Sequence, residues 1–164
     1  MRYFYDTEFL ENGHTIDLIS IGIVAEDGSE YYAVNKTALW DRIAQDPWLM
    51  DNVVPHLPPR TDPDWKTHVE IANDVSSFLM PDEDGIELWA DYAAYDHVAL
   101  AQLFGRMINL PPQIPMFTHE FQQAWNAMGR PALPEQTDGL HYALADARHL
   151  KACFEHLGGP PASI

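Results

Sequence analysis

The sequence predicts a mixed α/β fold, a sheet flanked by helices. Three observations carry that reading. The chain opens with three strand-like segments in a row. Strand-like and helix-like segments then alternate, which places helices over a sheet. A length of 164 residues, 46% of them hydrophobic and 12% aromatic, suits one well-filled core.

Arg2 to Phe9 is rich in Tyr and Phe, which favour a pleated, half-buried surface, and reads as a strand. Asp17 to Ala25 is a second strand. Glu26-Asp27-Gly28-Ser29 follows, with Asp-Gly supplying the positive-φ positions of a tight hairpin turn, and Glu30 to Asn35 returns as a third. The opening is therefore an antiparallel meander. Thr37 to Gln45 is a short helix that stops before Asp46-Pro47, and the four prolines between Val54 and Pro63 dictate a loop. Asp64 to Leu79 places Val69, Ala72, Val75, Phe78 and Leu79 near helical spacing. Pro81 to Gly85 is an acidic turn and Ile86 to Ala90 a buried strand. Tyr95 to Met107 is a helix with Leu100, Leu103, Phe104 and Met107 on one face. Ile114 to Phe117 is a short strand, Thr118 to Met128 a helix, and Tyr142 to His156 the last helix, after a proline-rich loop. The expected sheet is mixed and five-stranded, an antiparallel meander followed by parallel strands. With no internal repeat and no dividing linker, residues 1–164 are expected to form a single domain.

No apolar run approaches the ~20 residues of a membrane span, and the opening Met-Arg-Tyr-Phe-Tyr-Asp lacks a signal-peptide cleavage site. Cys153 is the single cysteine, so neither an internal disulfide nor a cysteine-built zinc site is available, and a cytoplasmic protein is expected. Nine Lys and Arg against 25 Asp and Glu give a net charge of −16. Proteins that grip phosphate backbones broadly carry a basic face. An acidic chain that acts on nucleic acid must engage it locally, or offset its own carboxylates with bound cations.

Several carboxylates are spaced to do the latter. Asp6 and Glu8 lie two apart on a strand and so share one face. Asp96 opens the helix after the Ile86–Ala90 strand, at the carboxyl end where α/β sheets place ligands, although an acid there also serves as a helix cap. Asp91, at the strand end itself, competes for the same role. His141 and Asp146 are five residues apart, which on one helix would separate them by roughly 140°. They converge if His141 lies just before the helix and Asp146 inside it. Asp146 follows Ala143-Leu144-Ala145, and a buried carboxylate in apolar surroundings is stabilised by a metal.

Taken together these residues resemble the three motifs of the DEDDh 3′–5′ exonucleases, in the same order. Asp6-Thr7-Glu8 resembles the first. Ala93-Ala94-Tyr95-Asp96-His97-Val98-Ala99-Leu100 resembles the second, and His141-Tyr142-Ala143-Leu144-Ala145-Asp146-Ala147-Arg148-His149-Leu150 the third. Met1 to Val34 and Glu87-Leu88-Trp89 through Leu100 are similar to the polyadenylate-specific 3′-exoribonuclease AS family, relatives of ribonuclease T. Phe9-Leu10 stands where proofreading members have Thr-Gly, and Tyr92 where they have Asn.

The resemblance implies a ribonuclease-H-like fold, a homodimer, magnesium, and trimming of single-stranded RNA from its 3′ end with adenylate preferred. It makes Asp6, Glu8, Asp96 and Asp146 ligands of two Mg²⁺ ions, with Mn²⁺ able to substitute, since oxygen donors suit these cations. His141, whose imidazole can accept a proton, becomes the general base. Glu8 is placed to read the 2′-hydroxyl, and Phe9 or Leu10 to press on the terminal base, unless they serve the core. His97, His149 and His156 read as surface helical residues. Arg106, Arg130, Arg148 and Lys151 are candidate phosphate contacts. A DNA 3′–5′ exonuclease or oligonucleotide-trimming enzyme on the same scaffold, and a non-enzymatic nucleotide-binding dimerisation domain, are the competing readings.

Overall fold

The computed structural model describes residues 1–159; residues 160–164, the end of the expected domain, lie outside them. The elements in chain order are β1 (Arg2–Glu11), β2 (Ile16–Ala25), β3 (Glu30–Asn35), α1 (Trp40–Ile43), α2 (Pro47–Asn52), β4 (Trp65–Lys66), α3 (His68–Phe78), β5 (Glu87–Ala90), α4 (Ala93–Gln102), β6 (His119–Glu120), α5 (Phe121–Ala127) and α6 (Ala143–His156). The strands form one sheet in the order β4-β3-β2-β1-β5-β6. The pairs β1–β2 and β2–β3 are antiparallel, and β1–β5, β3–β4 and β5–β6 are parallel.

The expected meander and the flanking helices are present, but the sheet has six strands rather than five. The added strand, β4, lies within the stretch whose periodicity predicts a helix from Asp64. A capping box at Thr67, whose hydroxyl meets the Glu70 amide while the Glu70 carboxylate reaches back to the Thr67 amide, fixes the helix start at His68. That leaves Trp65 and Lys66 to pair with Val34 and Asn35. The Ile114–Phe117 strand is also displaced: Pro115 interrupts that run and has no N–H for a ladder. The strand forms instead at His119–Glu120, beside Trp89 and Ala90. Asp46-Pro47, read as a stop, is also a start, for the Asp46 side chain accepts from the Leu49 amide and Pro47 occupies the first turn of α2.

Alternation along β1 sorts its side chains between two layers. Tyr3 and Tyr5 join Ile21, Ile23, Leu88 and the apolar stripes of α3 and α4. Phe4 points the other way, to Trp89 and to Leu150 and Phe154 of α6, with ring centroids of Phe4 and Phe154 4.9 Å apart. Asp6 and Glu8 continue the Phe4 face, so they rise toward α6. The first turn of α6 lies directly on β2. At Gly22, the partner of Asp6 across the ladder, an added Cβ would fall 2.3 Å from the Leu144 nitrogen. Only glycine allows this approach. β5 pairs with β1 only as far as Phe4, and β1 runs on past it. The cleft opens along that overrun.

Replacing Gly22 by Ala should therefore push α6 off the sheet. Urea unfolding is expected to show a loss of about 1–3 kcal/mol, as for other overpacked cores, and the purified variant should be far less active than wild type. A variant with wild-type stability and activity would show that α6 is not fixed by this contact.

Candidate active site

The cleft has a volume of about 620 Å³ and is walled by β1, the start of α4, and α6 with the loop before it. Asp6, Glu8, Asp96, His141 and Asp146 all line it. One ligand oxygen from each of Asp6, Glu8 and Asp146 lies within 4.8 Å of the others. Asp6 and Glu8 arrive by strand periodicity. Asp146 arrives because Gly22 lets α6 descend beside them.

Asp96 reaches the cleft from the opposite layer. Its Oδ1 accepts from the Thr7 amide at 2.9 Å and the Thr7 hydroxyl at 2.6 Å. The middle residue of Asp-Thr-Glu thus holds the acid of the second motif. Asp91 lines the same cleft, and its Oδ1 is buried without a hydrogen-bond partner among the described residues. Of the two, Asp96 presses more strongly on Asp6.

His141 sits just before α6 with φ 63°, a left-handed backbone, and meets the Trp48 ring edge-on at 4.9 Å. Tyr92 (φ 59°) and Arg130 (φ 54°) share this uncommon conformation. The Glu120 carboxylate holds the Tyr92 turn by accepting from the amides of Tyr92 and Ala93 at 3.0 and 2.8 Å.

The electrostatics are those of acids crowded together and raised by burial. Burial, then the charges of Asp96, Glu8 and Asp146, raise the Asp6 carboxyl well above the usual range. Glu8 is pushed up to about 8, by burial and then by Asp146 and Asp96. Burial lifts Asp96 to about 7 despite the two Thr7 hydrogen bonds. Asp146 is also raised by burial, partly offset by the Gln136 amide, which donates to its Oδ1 at 2.6 Å. Among the described residues no Lys or Arg forms an ion pair with Asp6, Glu8, Asp96 or Asp146. A cluster of oxygen donors short of positive charge fits a hard divalent cation.

Other residues fall differently from the sequence reading. Leu10 is not brought to the cleft. One extra residue on β2, Ile19, faces the Glu8–Phe9 step, and beyond this bulge Leu10 packs with Ile19, Ile43 and Leu49. Phe9 does line the cleft and stacks on Tyr95 at 6.1 Å and 13°. His149 is not a surface residue: it lines the cleft and bonds the Pro134 carbonyl at 3.0 Å. His97 is half-buried and bonds Thr118 at 3.0 Å, whereas His156 is exposed. Arg148 is bound to Glu30 and Lys151 to Glu155. Arg130 bonds Gln122, which lines the cleft, and Arg106 is exposed. Sequence reasoning did not single out Thr7's bonding role, Gly22, Gln136 or Trp48. Gly22 alone carried a signal, as a glycine amid a run of apolar strand residues.

A family model described as the 3′-5′ exoribonuclease Rv2179c-like domain matches residues 1–157. The chain belongs to this exoribonuclease family. Two curated relatives agree, the 3′-5′ exoribonuclease Rv2179c of Mycobacterium tuberculosis strain ATCC 25618/H37Rv and the 3′-5′ exoribonuclease MT2234.1 of strain CDC 1551/Oshkosh. Each is 52% identical over 149 residues, covering 90% of this chain and 88% of the relative. Family membership makes the chain an enzyme, a 3′–5′ exoribonuclease, and sets aside a non-enzymatic dimerisation domain. Among the described residues no helix is long and apolar enough to cross a membrane.

The raised carboxyls give a pH prediction for metal-free protein. A carboxyl whose folded pKa exceeds its unfolded value stabilises the fold below the unfolded pKa and loses that contribution as pH rises through the folded one. For Glu8 that window runs from the ordinary 4.5 to about 8. In EDTA, Glu8→Gln should raise the thermal midpoint at about pH 8.5 and leave the difference near zero at about pH 4. A difference independent of pH would show that Glu8 is not crowded.

Proposed function

We propose that residues 1–164 form one exonuclease domain of ribonuclease-H-like, DEDDh type, closest to the exoribonuclease AS family, acting on single-stranded RNA 3′ ends. The observation that carries this reading is the convergence of Asp6, Glu8 and Asp146 within 4.8 Å, with Asp96 and His141 on the same cleft. The motif resemblance supports the DEDDh assignment, and the exoribonuclease family supports RNA as substrate.

Asp6, Glu8, Asp96 and Asp146 would hold two Mg²⁺ or Mn²⁺ ions, and Asp6 is the acid that feels the charges of all three others. Bound there, the cations supply charge stabilisation to the phosphodiester and lower the pKa of water. The chain's own residues do the rest. His141, on its left-handed turn at the mouth of the cleft, takes the proton from the attacking water. Thr7 keeps Asp96 directed into the site, and Gln136 orients Asp146. Glu8, or the backbone beside it, tests the ribose 2′-hydroxyl, the group that separates RNA from DNA. Phe9, steadied on Tyr95, offers a face to the terminal base. Leu10 belongs to the core and takes no part in this contact. The products are nucleoside 5′-monophosphates. Adenylate preference, a homodimer and a cytoplasmic location complete the reading; the first two rest on the resemblance, the last on cysteine usage.

Incubation with 3′- and 5′-labelled RNA and DNA oligomers, with products sized, tests the reading. Stepwise loss from the RNA 3′ end, dependent on Mg²⁺ or Mn²⁺, is expected. Equal cleavage of oligo(A) and oligo(dA) would favour the DNA-exonuclease alternative, and equal rates on oligo(A), oligo(U) and oligo(C) would remove adenylate preference alone.

In the same assay Asp146→Asn should abolish activity while the protein stays folded. His141→Ala should slow it by roughly 10²–10⁴, with cation binding by calorimetry nearly unchanged. An unchanged rate for the His141 variant would remove the base assignment.

A further inference from the structure

Trp48 is the largest kind of apolar side chain, yet it is 53% exposed. It is not loosely held. The Asp46 side chain caps α2 by accepting from the Leu49 amide at 3.1 Å, Pro47 sets the first turn, and Leu49 is buried with Leu10 and Ile19. The indole is thus carried on a fixed helix start and stands edge-on to His141 at 4.9 Å, with much of its surface free.

Beside it lies a cavity of about 340 Å³, lined by Glu8, Phe9, Glu11, Asp46, Trp48 and Leu49. It shares Glu8 and Phe9 with the catalytic cleft, so the two adjoin along β1. Its walls combine aromatic surface with three carboxylates and no basic group. Such a lining repels phosphate and accepts a neutral, flat group that brings hydrogen-bond donors. One oxygen of Glu11 is committed to the Gly13 amide and one of Asp46 to the Leu49 amide. Among the described residues the second oxygen of each has no partner, and an ionised carboxylate can only accept.

We propose that Trp48 is the stacking platform of a nucleobase subsite that selects bases bearing an exocyclic amino group. Adenine, cytosine and guanine present such a donor to Glu11 or Asp46. Uracil lacks an exocyclic amino group: its one free donor, N3–H, lies between two carbonyl oxygens, which the carboxylates repel. The subsite rests on the RNA-cleaving reading and deepens it, since it gives discrimination against uridylate a physical source. The indole supplies affinity, and the acceptor wall supplies discrimination.

The test is binding without catalysis. Fluorescein-labelled A₃ and U₃ are titrated against the full chain in EDTA and followed by anisotropy. Wild type should bind A₃ more tightly than U₃. Trp48→Ala should weaken A₃ by about tenfold or more, the value of a base–aromatic stack, while Trp48→Phe should stay within roughly threefold of wild type. Glu11→Gln should narrow the gap between A₃ and U₃. If Trp48→Ala does not fold, Trp48→Leu, which keeps apolar bulk without a π face, takes its place with the same expected loss. A₃ binding within about twofold of wild type in the folded Ala or Leu variant would overturn the platform. Equal binding of A₃ and U₃ by wild type would overturn the amino-group selection. Failure here leaves 3′-end cleavage standing. Trp48-dependent binding without 3′-nucleotide release in Mg²⁺ would overturn the cleavage reading and keep the subsite.

Discussion

The contact between the first turn of α6 and β2 at Gly22 is the constraint on which the rest of the site depends. A backbone nitrogen 2.3 Å from where a Cβ would stand means that helix and sheet meet with no side chain between them. Interiors are close-packed, so such an approach is fixed rather than adjustable. It sets Asp146 above Asp6 and Glu8, and it sets His141 at the edge of the cleft, one residue before the Tyr142 cap. A helix seated further out would leave Asp6 and Glu8 together on β1 and carry Asp146 away from them.

That seating creates an electrostatic problem that the surrounding chain does not solve. Asp6 and Glu8 come from one strand, Asp146 from α6 and Asp96 from α4, and all four carboxyls are raised above their ordinary range by burial. The partial remedies are hydrogen bonds: Thr7 to Asp96 and Gln136 to Asp146. The basic residues near the same helix are committed elsewhere, Arg148 to Glu30 and Lys151 to Glu155. Among the described residues no Lys or Arg is paired with the four acids.

The sequence made the framework legible where side-chain periodicity and turn chemistry act locally. The meander, the Asp27-Gly28 turn, the β5 strand and α6 follow from such signals, and so does the convergence of His141 with Asp146, which required only that the helix begin between them. What was not legible depended on contacts between distant residues. β4 is two residues long and exists because Val34 and Asn35 offer it an edge. Leu10 lies in the core because α1 and α2, more than 30 residues on, lay Ile43 and Leu49 against it. Thr7 bonds a residue 89 positions away, and no local pattern announces that. Trp48 belongs to a helix whose start signal, Asp46-Pro47, reads equally well as the end of the preceding one.

The left-handed backbones carry a consequence for any attempt to stabilise this protein. Tyr92 and His141 line the cleft and Arg130 bonds a residue that does, so the non-glycine positions with positive φ gather at one rim. Each holds a conformation that most side chains avoid, at about 1–3 kcal/mol. Glycine at position 141 would relax the chain and at the same time delete the imidazole. The positions where the fold has most to gain are thus those where the chemistry has most to lose. Selection for thermal robustness alone would erode the enzyme from its active edge inward.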